Sequence, residues 1–303
     1  MINKKEPKTL HKKNLHNQSY DFDKLASREP QLKQYLFINR YGNQSIDFSN
    51  ADAVFTLNKA ILKLYYKIDE YFIPKGYLAA PIPGRADYIH HIADIINSDT
   101  HIKDKKIKIL DIGSGANCIY PILGVAIYNW DFTASDIDPK SIENIKNLIS
   151  KNKILKNKIT PFLQENIHHI FKGVIGKDDK YHFTMCNPPF HLSQGDAIKA
   201  SKRKVKNLTG IEQKNPQLNF AGVSNELWCK GGELAFIKKM IKQSVEYKEN
   251  VTYFSTLVSK QENLKTIYKL LKRFEASVKT IQMKQGNKTT RIVIWSFQQD
   301  ISI

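Results

Sequence analysis

The sequence predicts an α/β fold: a doubly wound, mostly parallel sheet closed by a terminal antiparallel hairpin, preceded by a mainly helical segment. Three observations carry that expectation. Short apolar runs alternate with stretches of helical periodicity, the pattern of β-α-β units. The first of these runs feeds Gly113-x-Gly115, a tight turn into a helix. Residues with usable chemistry then fall at four successive strand ends, where doubly wound sheets bind their ligands.

Residues 1 to about 20 hold Lys4, Lys5, Lys8, Lys12, Lys13, His11 and His16 with few apolar anchors, so a loosely held basic arm is expected. The spacing of Leu32, Tyr35, Leu36 and Ile38 predicts a short helix. Ala53, Leu57, Ala60, Ile61, Leu64 and Ile68 predict a longer one, with Asp47 or Ser49 capping its start. A Pro/Gly-punctuated connection, Pro74 to Pro83, leads to a helix with Ile89, Ile92, Ala93 and Ile96 on one face. His90 and His91 lack a third ligand at metal spacing and read as packing or surface residues. Arg85, near that helix start, is a candidate for an anionic group, with a structural salt bridge as the competing reading.

The strand running through Ile107 to Ile112 ends in Asp111-Ile112-Gly113-Ser114-Gly115-Ala116-Asn117, and a helix follows over Ile119 to Ala126. Two ligands suit such a loop. A dinucleotide would want a third glycine at position 118, which is cysteine. S-adenosylmethionine carries no phosphate; it needs close backbone approach and an acid for its ribose, and Asp111 before the glycines suits it better. The next strand, Trp130 to Asp136, ends in that acid about 20 residues after the glycines. Asp138 and Pro139 are the N-cap and first residue of a helix through Ile149. A third strand spans Ile159 to Leu163, and Asn166 beyond it is the candidate for an adenine amine.

The fourth strand, Tyr181 to Cys186, stops at Asn187-Pro188-Pro189-Phe190. Neither proline can donate to a ladder, so the strand ends at Asn187 in a stiff loop. The Asn187 carboxamide oxygen and the Pro188 carbonyl suit the two N–H groups of an exocyclic amine, and Phe190 can stack on its ring. Such a site works by positioning and needs no strong base. A Pro-Pro turn after a buried strand is the plain alternative. Lys199, Lys202, Arg203, Lys204 and Lys206 follow within an irregular insertion, about 192–224, and are candidates for phosphate contacts. A helix holding Phe236, Ile237, Met240 and Ile241, a strand Val251 to Val258 and an amphipathic helix Lys260 to Phe274 come next. Val278 to Met283 and Arg291 to Phe297 pair as the closing hairpin.

Composition narrows the partner. The 303 residues carry 47 Lys and Arg against 29 Asp and Glu, a formal charge of +18, which points to a polyanion such as nucleic acid. A lysine-rich proteome is the competing source of that excess. Cys118, Cys186 and Cys229 form neither a metal-ligand pattern nor a disulfide framework, so a reducing compartment is expected. The basic stretch Met1 to Lys13 has no apolar core after it, and no run approaches the roughly 18 apolar residues of a membrane span. A cytoplasmic protein without membrane or metal partners follows as the expectation.

Four stretches carry a resemblance: Pro83 to His91 (PGRADYIHH), Leu110 to Pro121 (LDIGSGANCIYP), Cys186 to His191 (CNPPFH) and Glu226 to Glu233 (ELWCKGGE). With them the chain resembles, from about Leu10 to Phe297, the bacterial 23S ribosomal RNA adenine-N6 methyltransferases and the related eukaryotic U6 snRNA enzymes. The resemblance implies a Rossmann-like class I methyltransferase with a seven-stranded sheet, acting as a monomer on 23S rRNA or a large-subunit precursor. It divides the chain into residues 1–80, arm and helical segment, and 81–303, the methyltransferase domain. By resemblance Arg85, Gly113, Asn117, Asp136 and Asn166 line the S-adenosylmethionine site, and Asn187, Pro188, Pro189 and Phe190 hold the target adenine. A guanine-N2 rRNA methyltransferase shares the Asn-Pro-Pro-Phe-His run, and an RNA-binding assembly factor with a vestigial cofactor site is an alternative that the intact Gly113, Gly115, Asp136 and Asn187 count against. A protein-glutamine methyltransferase, which usually ends the motif in Tyr, is a further alternative.

Overall fold

The computed structural model describes residues 10–77, 79–102, 106–189, 195, 229–285 and 288–298. Helix α1, Phe22–Arg28, starts at Asp21, whose side chain accepts from the Lys24 N–H. The helix expected over 32–38 is replaced by one 3-10 stretch, Pro30–Tyr35, and a strand β1, Leu36–Ile38, paired antiparallel with β2, Gln44–Ile46. That short stretch is enough to bury Leu32, and Gly42 at φ +79° reverses the chain between the strands. So few residues fit helical and strand periods equally well.

Helix α2 spans Ala51–Tyr66 and is capped by Asn50, which accepts from the Asp52 and Ala53 N–H groups; it is not capped by Asp47 or Ser49. Asp47 instead accepts from Ser49 in the turn before. Helix α3 covers Ile82–Ser98 with Pro83 in its first turn. The described part of the basic arm is not loose. Asn14, 3% exposed, donates to the Pro83 carbonyl at 2.9 Å and to Asp87 at 3.0 Å. His11 stacks on His90 and bonds Asp94 at 2.8 Å. His16 pairs with the Tyr66 hydroxyl at 2.7 Å, and Lys13 reaches Asp94 at 3.1 Å, so Asn, His and one lysine anchor the segment.

The main sheet contains β3 (Lys108–Ile112), β4 (Asp131–Asp136), β5 (Ile159–Leu163), β6 (Tyr181–Cys186), β7 (Val251–Val258), β8 (Ser277–Gln285) and β9 (Lys288–Ser296). Helices α4 (Ile119–Tyr128), α5 (Pro139–Lys151), α6 (Gly232–Ser244) and α7 (Asn263–Arg273) connect them. The strand order is β5-β4-β3-β6-β7-β9-β8. Pairing is parallel from β5 to β7, and β9 runs antiparallel to both its neighbours. This is the doubly wound, mostly parallel, seven-stranded sheet with a terminal hairpin that the sequence predicts.

Each face of the sheet is covered. Along β9, Ile292 and Ile294 join the cluster built with α3, α4 and α5, while Val293 and Trp295 join that of α6 and α7. Such two-sided burial is what parallel strands require. Leu25, Ala26 and Leu32 belong to the same cluster as Phe183 and Met185, so the N-terminal helices pack into the core of the sheet. In α4, a Cβ added at Gly124 would run into the Phe132 ring, so glycine there lets the helix lie close on β4. The chain order reverses between β3 and β6, and a crevice opens at that switch point.

Candidate active site

Most of the side chains singled out from the sequence are placed at the crevice by strand ends. After β3, Gly113 and Gly115 adopt φ of +68° and +62°, a conformation costly for side-chain-bearing residues. The Gly113 and Ser114 N–H groups donate to the Ser135 carbonyl at 2.9 and 3.0 Å, tying the turn to β4. Gly115 donates to Asp136 Oδ2 at 2.8 Å, and Asp138 N–H donates to Oδ1 at 2.9 Å. Open space lies where a Gly113 Cβ would stand. The loop therefore offers a bare backbone surface to a ligand beside a buried acid.

A cavity of about 600 Å³ runs along the carboxyl ends of β5, β4, β3 and β6. Arg85, Gly113, Gly115, Asn117, Asp136, Asn187 and Pro189, all predicted from sequence, line it. Asp111 does not; it lies behind the loop, 1% exposed, with neither carboxylate oxygen hydrogen-bonded among the described residues. Burial pushes its carboxyl up to about 7, and the Asp136 charge adds to the push. Asp136 is raised as well, by burial, against the N–H donors that favour its charged form. Pro188 is buried beside Asn187 and does not face the cavity.

Asn166 also departs from its expected place. It is exposed and turned into its own loop, its Oδ1 accepting from the His168 N–H at 2.9 Å. Gln164, Ile167, His168 and His169 form that wall instead. Gln164, the first residue past β5, sits at the very strand end, which is the signal that would have favoured it. Phe190, Lys199, Lys202, Arg203, Lys204 and Lys206 lie outside the described residues. Tyr120, Phe236 and Lys239 line the cavity without having been foreseen. The i, i+3 spacing of Phe236 and Lys239 shows a shared helix face, but nothing local says that α6 reaches across the crevice.

Two features describe what the site can do. The Asn187 side-chain oxygen is buried, with no hydrogen-bond partner among the described residues. A buried acceptor left unpaired costs about 1–3 kcal/mol, so an incoming N–H donor is favoured at this position. Arg85 holds its guanidinium 5.5 Å from the Tyr120 ring centroid at the cavity wall, a cation kept ready for an anion. Burial pushes the Cys186 and Cys118 thiols well up, so both stay protonated and offer no nucleophile. The site is built to hold groups in place.

A family profile described as RNA methyltransferase matches residues 4–299. The chain belongs to the RNA methyltransferase family. Among its relatives, the ribosomal RNA large subunit methyltransferase F of Flavobacterium johnsoniae is 51% identical over 301 residues, 97% of this chain and 95% of that protein. The protein of the same name from Christiangramia forsetii is 51% identical over 288 residues, 95% and 100% of the two chains. The catalytic domain of hMettl16, solved in complex with MAT2A 3′UTR hairpin 1, superposes with a TM-score of 0.82 at 28% identity, covering 98% of each chain. The N-terminal domain of human METTL16, solved with SAH, gives 0.76 at 26% identity over 96% of this chain and 100% of that one. For this RNA methyltransferase, a bare glycine turn, a buried acid and a guanidinium on the cavity wall are a set that fits S-adenosylmethionine.

Proposed function

We propose that this enzyme methylates N6 of one adenine in 23S rRNA, with S-adenosylmethionine as donor. The observation that carries the reading is the buried Asn187 oxygen, without a hydrogen-bond partner among the described residues, on the wall of the cavity. S-adenosylmethionine supplies an electrophilic methyl group and needs no help from a metal. Asn187 Oδ1 accepts one N–H of the target amine. With that proton held, the amine lone pair points along the crevice toward the glycine turn. Phe190 stacks on the base, which must leave its helix to enter the loop. Asp136 accepts from the ribose hydroxyls, Gly113 and Gly115 let the donor lie against the backbone, and Arg85 pairs with its carboxylate. Positioning supplies the rate, in keeping with a site whose cysteines are held neutral.

The basic insertion and the +18 charge support a contact with rRNA phosphates through Lys199, Lys202, Arg203, Lys204 and Lys206. The large-subunit name of the relatives supports 23S rRNA, or a precursor particle, as the substrate. A monomer in the cytoplasm completes the proposal; among the described residues no helix is long and apolar enough to cross a membrane. The test is incubation of the protein with tritiated S-adenosylmethionine and undermethylated 23S rRNA, followed by nucleoside mass spectrometry. N6-methyladenosine is the expected label. N2-methylguanosine would keep the donor and overturn the base, and no label on RNA or precursor particles would overturn the reading.

A further inference from the structure

The cavity wall after β5 is not held by its own loop alone. Residues Ile167 to Ile170 face the cavity, yet three of their backbone groups are tied to one side of helix α6. Lys239 Nζ donates to the Ile167 carbonyl at 2.8 Å. Gln243 Nε2 donates to the His168 carbonyl at 2.8 Å, while its Oε1 accepts from the Ile170 N–H at 2.8 Å. Lys239 and Gln243 stand four residues apart, on one face of the helix. A single carboxamide thus fixes both a donor and an acceptor of the same short segment, which sets its orientation as well as its position.

The strand order says which part of a ligand this wall meets. β5 and β4 are neighbours at one end of the crevice, and β3 and β6 are neighbours at the other. Asp136 ends β4 and Asp138 follows it, whereas Arg85 and Asn187 stand at the β3 and β6 end. A donor with its ribose at Asp136 therefore places its nucleobase against residues 167–170 and its amino-acid end away from them.

We propose that Gln243, assisted by Lys239, is a positioning residue for the nucleoside half of the methyl donor. It touches no ligand; it acts through the backbone of the wall. The inference rests on the donor assignment above and adds to it a residue from a helix that follows the substrate loop. Without the clamp, residues 167–170 lose their fixed orientation, and the base must order them as it binds. The donor's affinity then falls, while the geometry at Asn187 is untouched.

Calorimetric titration of wild type, Gln243→Leu and Gln243→Glu with two ligands tests this. S-adenosylhomocysteine carries nucleoside and amino acid; 5′-methylthioadenosine carries the nucleoside alone. Gln243→Leu is expected to weaken both by the same factor, about tenfold, with the unliganded unfolding midpoint little changed. Gln243→Glu keeps the acceptor for Ile170 and loses the donor to His168, so it falls in between and serves if the leucine variant folds poorly. At saturating donor, kcat stays at the wild-type value and only the donor KM rises. Equal affinities for all three proteins would overturn the clamp and leave the donor assignment standing. A loss confined to S-adenosylhomocysteine would place the effect at the amino-acid end and overturn it too. Wild type that binds neither ligand would sink the donor assignment and the clamp with it.

Discussion

The backbone N–H of Gly115 donates to the Asp136 carboxylate at 2.8 Å, joining the glycine turn after β3 to the acid that ends β4. Two motifs that look independent in the sequence are one unit in the fold. The bond leaves the acid oriented across the cavity, and it makes the turn sensitive to the charge at Asp136. Asp136→Ala is therefore expected to lose more than a ribose contact. Donor affinity should fall about 10- to 100-fold, since a charged hydrogen bond is worth roughly 1.5–3 kcal/mol. Titration with S-adenosylhomocysteine measures it, and an unchanged affinity would remove Asp136 from the site.

Asn187→Ala separates holding the base from holding the donor. Methyl transfer should drop at least about a thousandfold, the scale of losing a positioned group in the transition state. S-adenosylhomocysteine affinity should stay within about twofold. Turnover close to wild type would defeat the role of the carboxamide.

Asp111 sets a pH dependence of stability. Its folded value of about 7 lies above the ordinary carboxyl value of 3.8. The folded protein thus binds more protons than the unfolded chain between these limits, so this group's contribution falls as pH rises from about 4 to about 7. Asp111→Asn removes that term. The difference in unfolding free energy between variant and wild type should be smallest near pH 4 and grow by roughly 4 kcal/mol toward pH 8. A difference that does not change with pH would show the carboxyl to be unperturbed.

Gly124→Ala tests the fit of α4 on β4. Alanine favours a helix by about 1 kcal/mol over glycine, but the new methyl meets the Phe132 ring. Overpacking of that kind costs about 1–3 kcal/mol, so the net effect should be destabilising. A raised unfolding midpoint would mean that the ring yields without strain.

Replacing Lys202, Arg203 and Lys204 together by Ala should weaken RNA binding and flatten its salt dependence. Three phosphate contacts contribute about 2 to the slope of log affinity against log salt for a single strand. An unaltered slope would make the insertion a solvated surface.

Much of the fold could be read from sequence because the strands that matter are buried on both faces. The Tyr181–Cys186 run is bounded by Pro188 and cannot extend, and Asp138-Pro139 caps α5 as local chemistry demands. The β1–β2 hairpin could not be read in this way, since a short run around Leu32 to Ile38 fits helix and strand alike. The cavity lining was legible where a side chain follows directly from a strand end, as at Asp136 and Asn187. It failed at Asn166, where a local Asx bond to His168 turns the side chain back. Nor could it find Phe236 or Lys239, which approach by the tertiary crossing of α6.

The strand order also sets a schedule for assembly. β9 is made after β8 yet sits between β7 and β8. Until it emerges, β7 keeps one row of backbone groups without a partner, although every side chain of the Asn187 loop has already been made. An open strand edge invites pairing with another chain. Slow synthesis or a truncation before Arg291 would leave the protein with its site complete in sequence but its sheet open, which favours aggregation over folding.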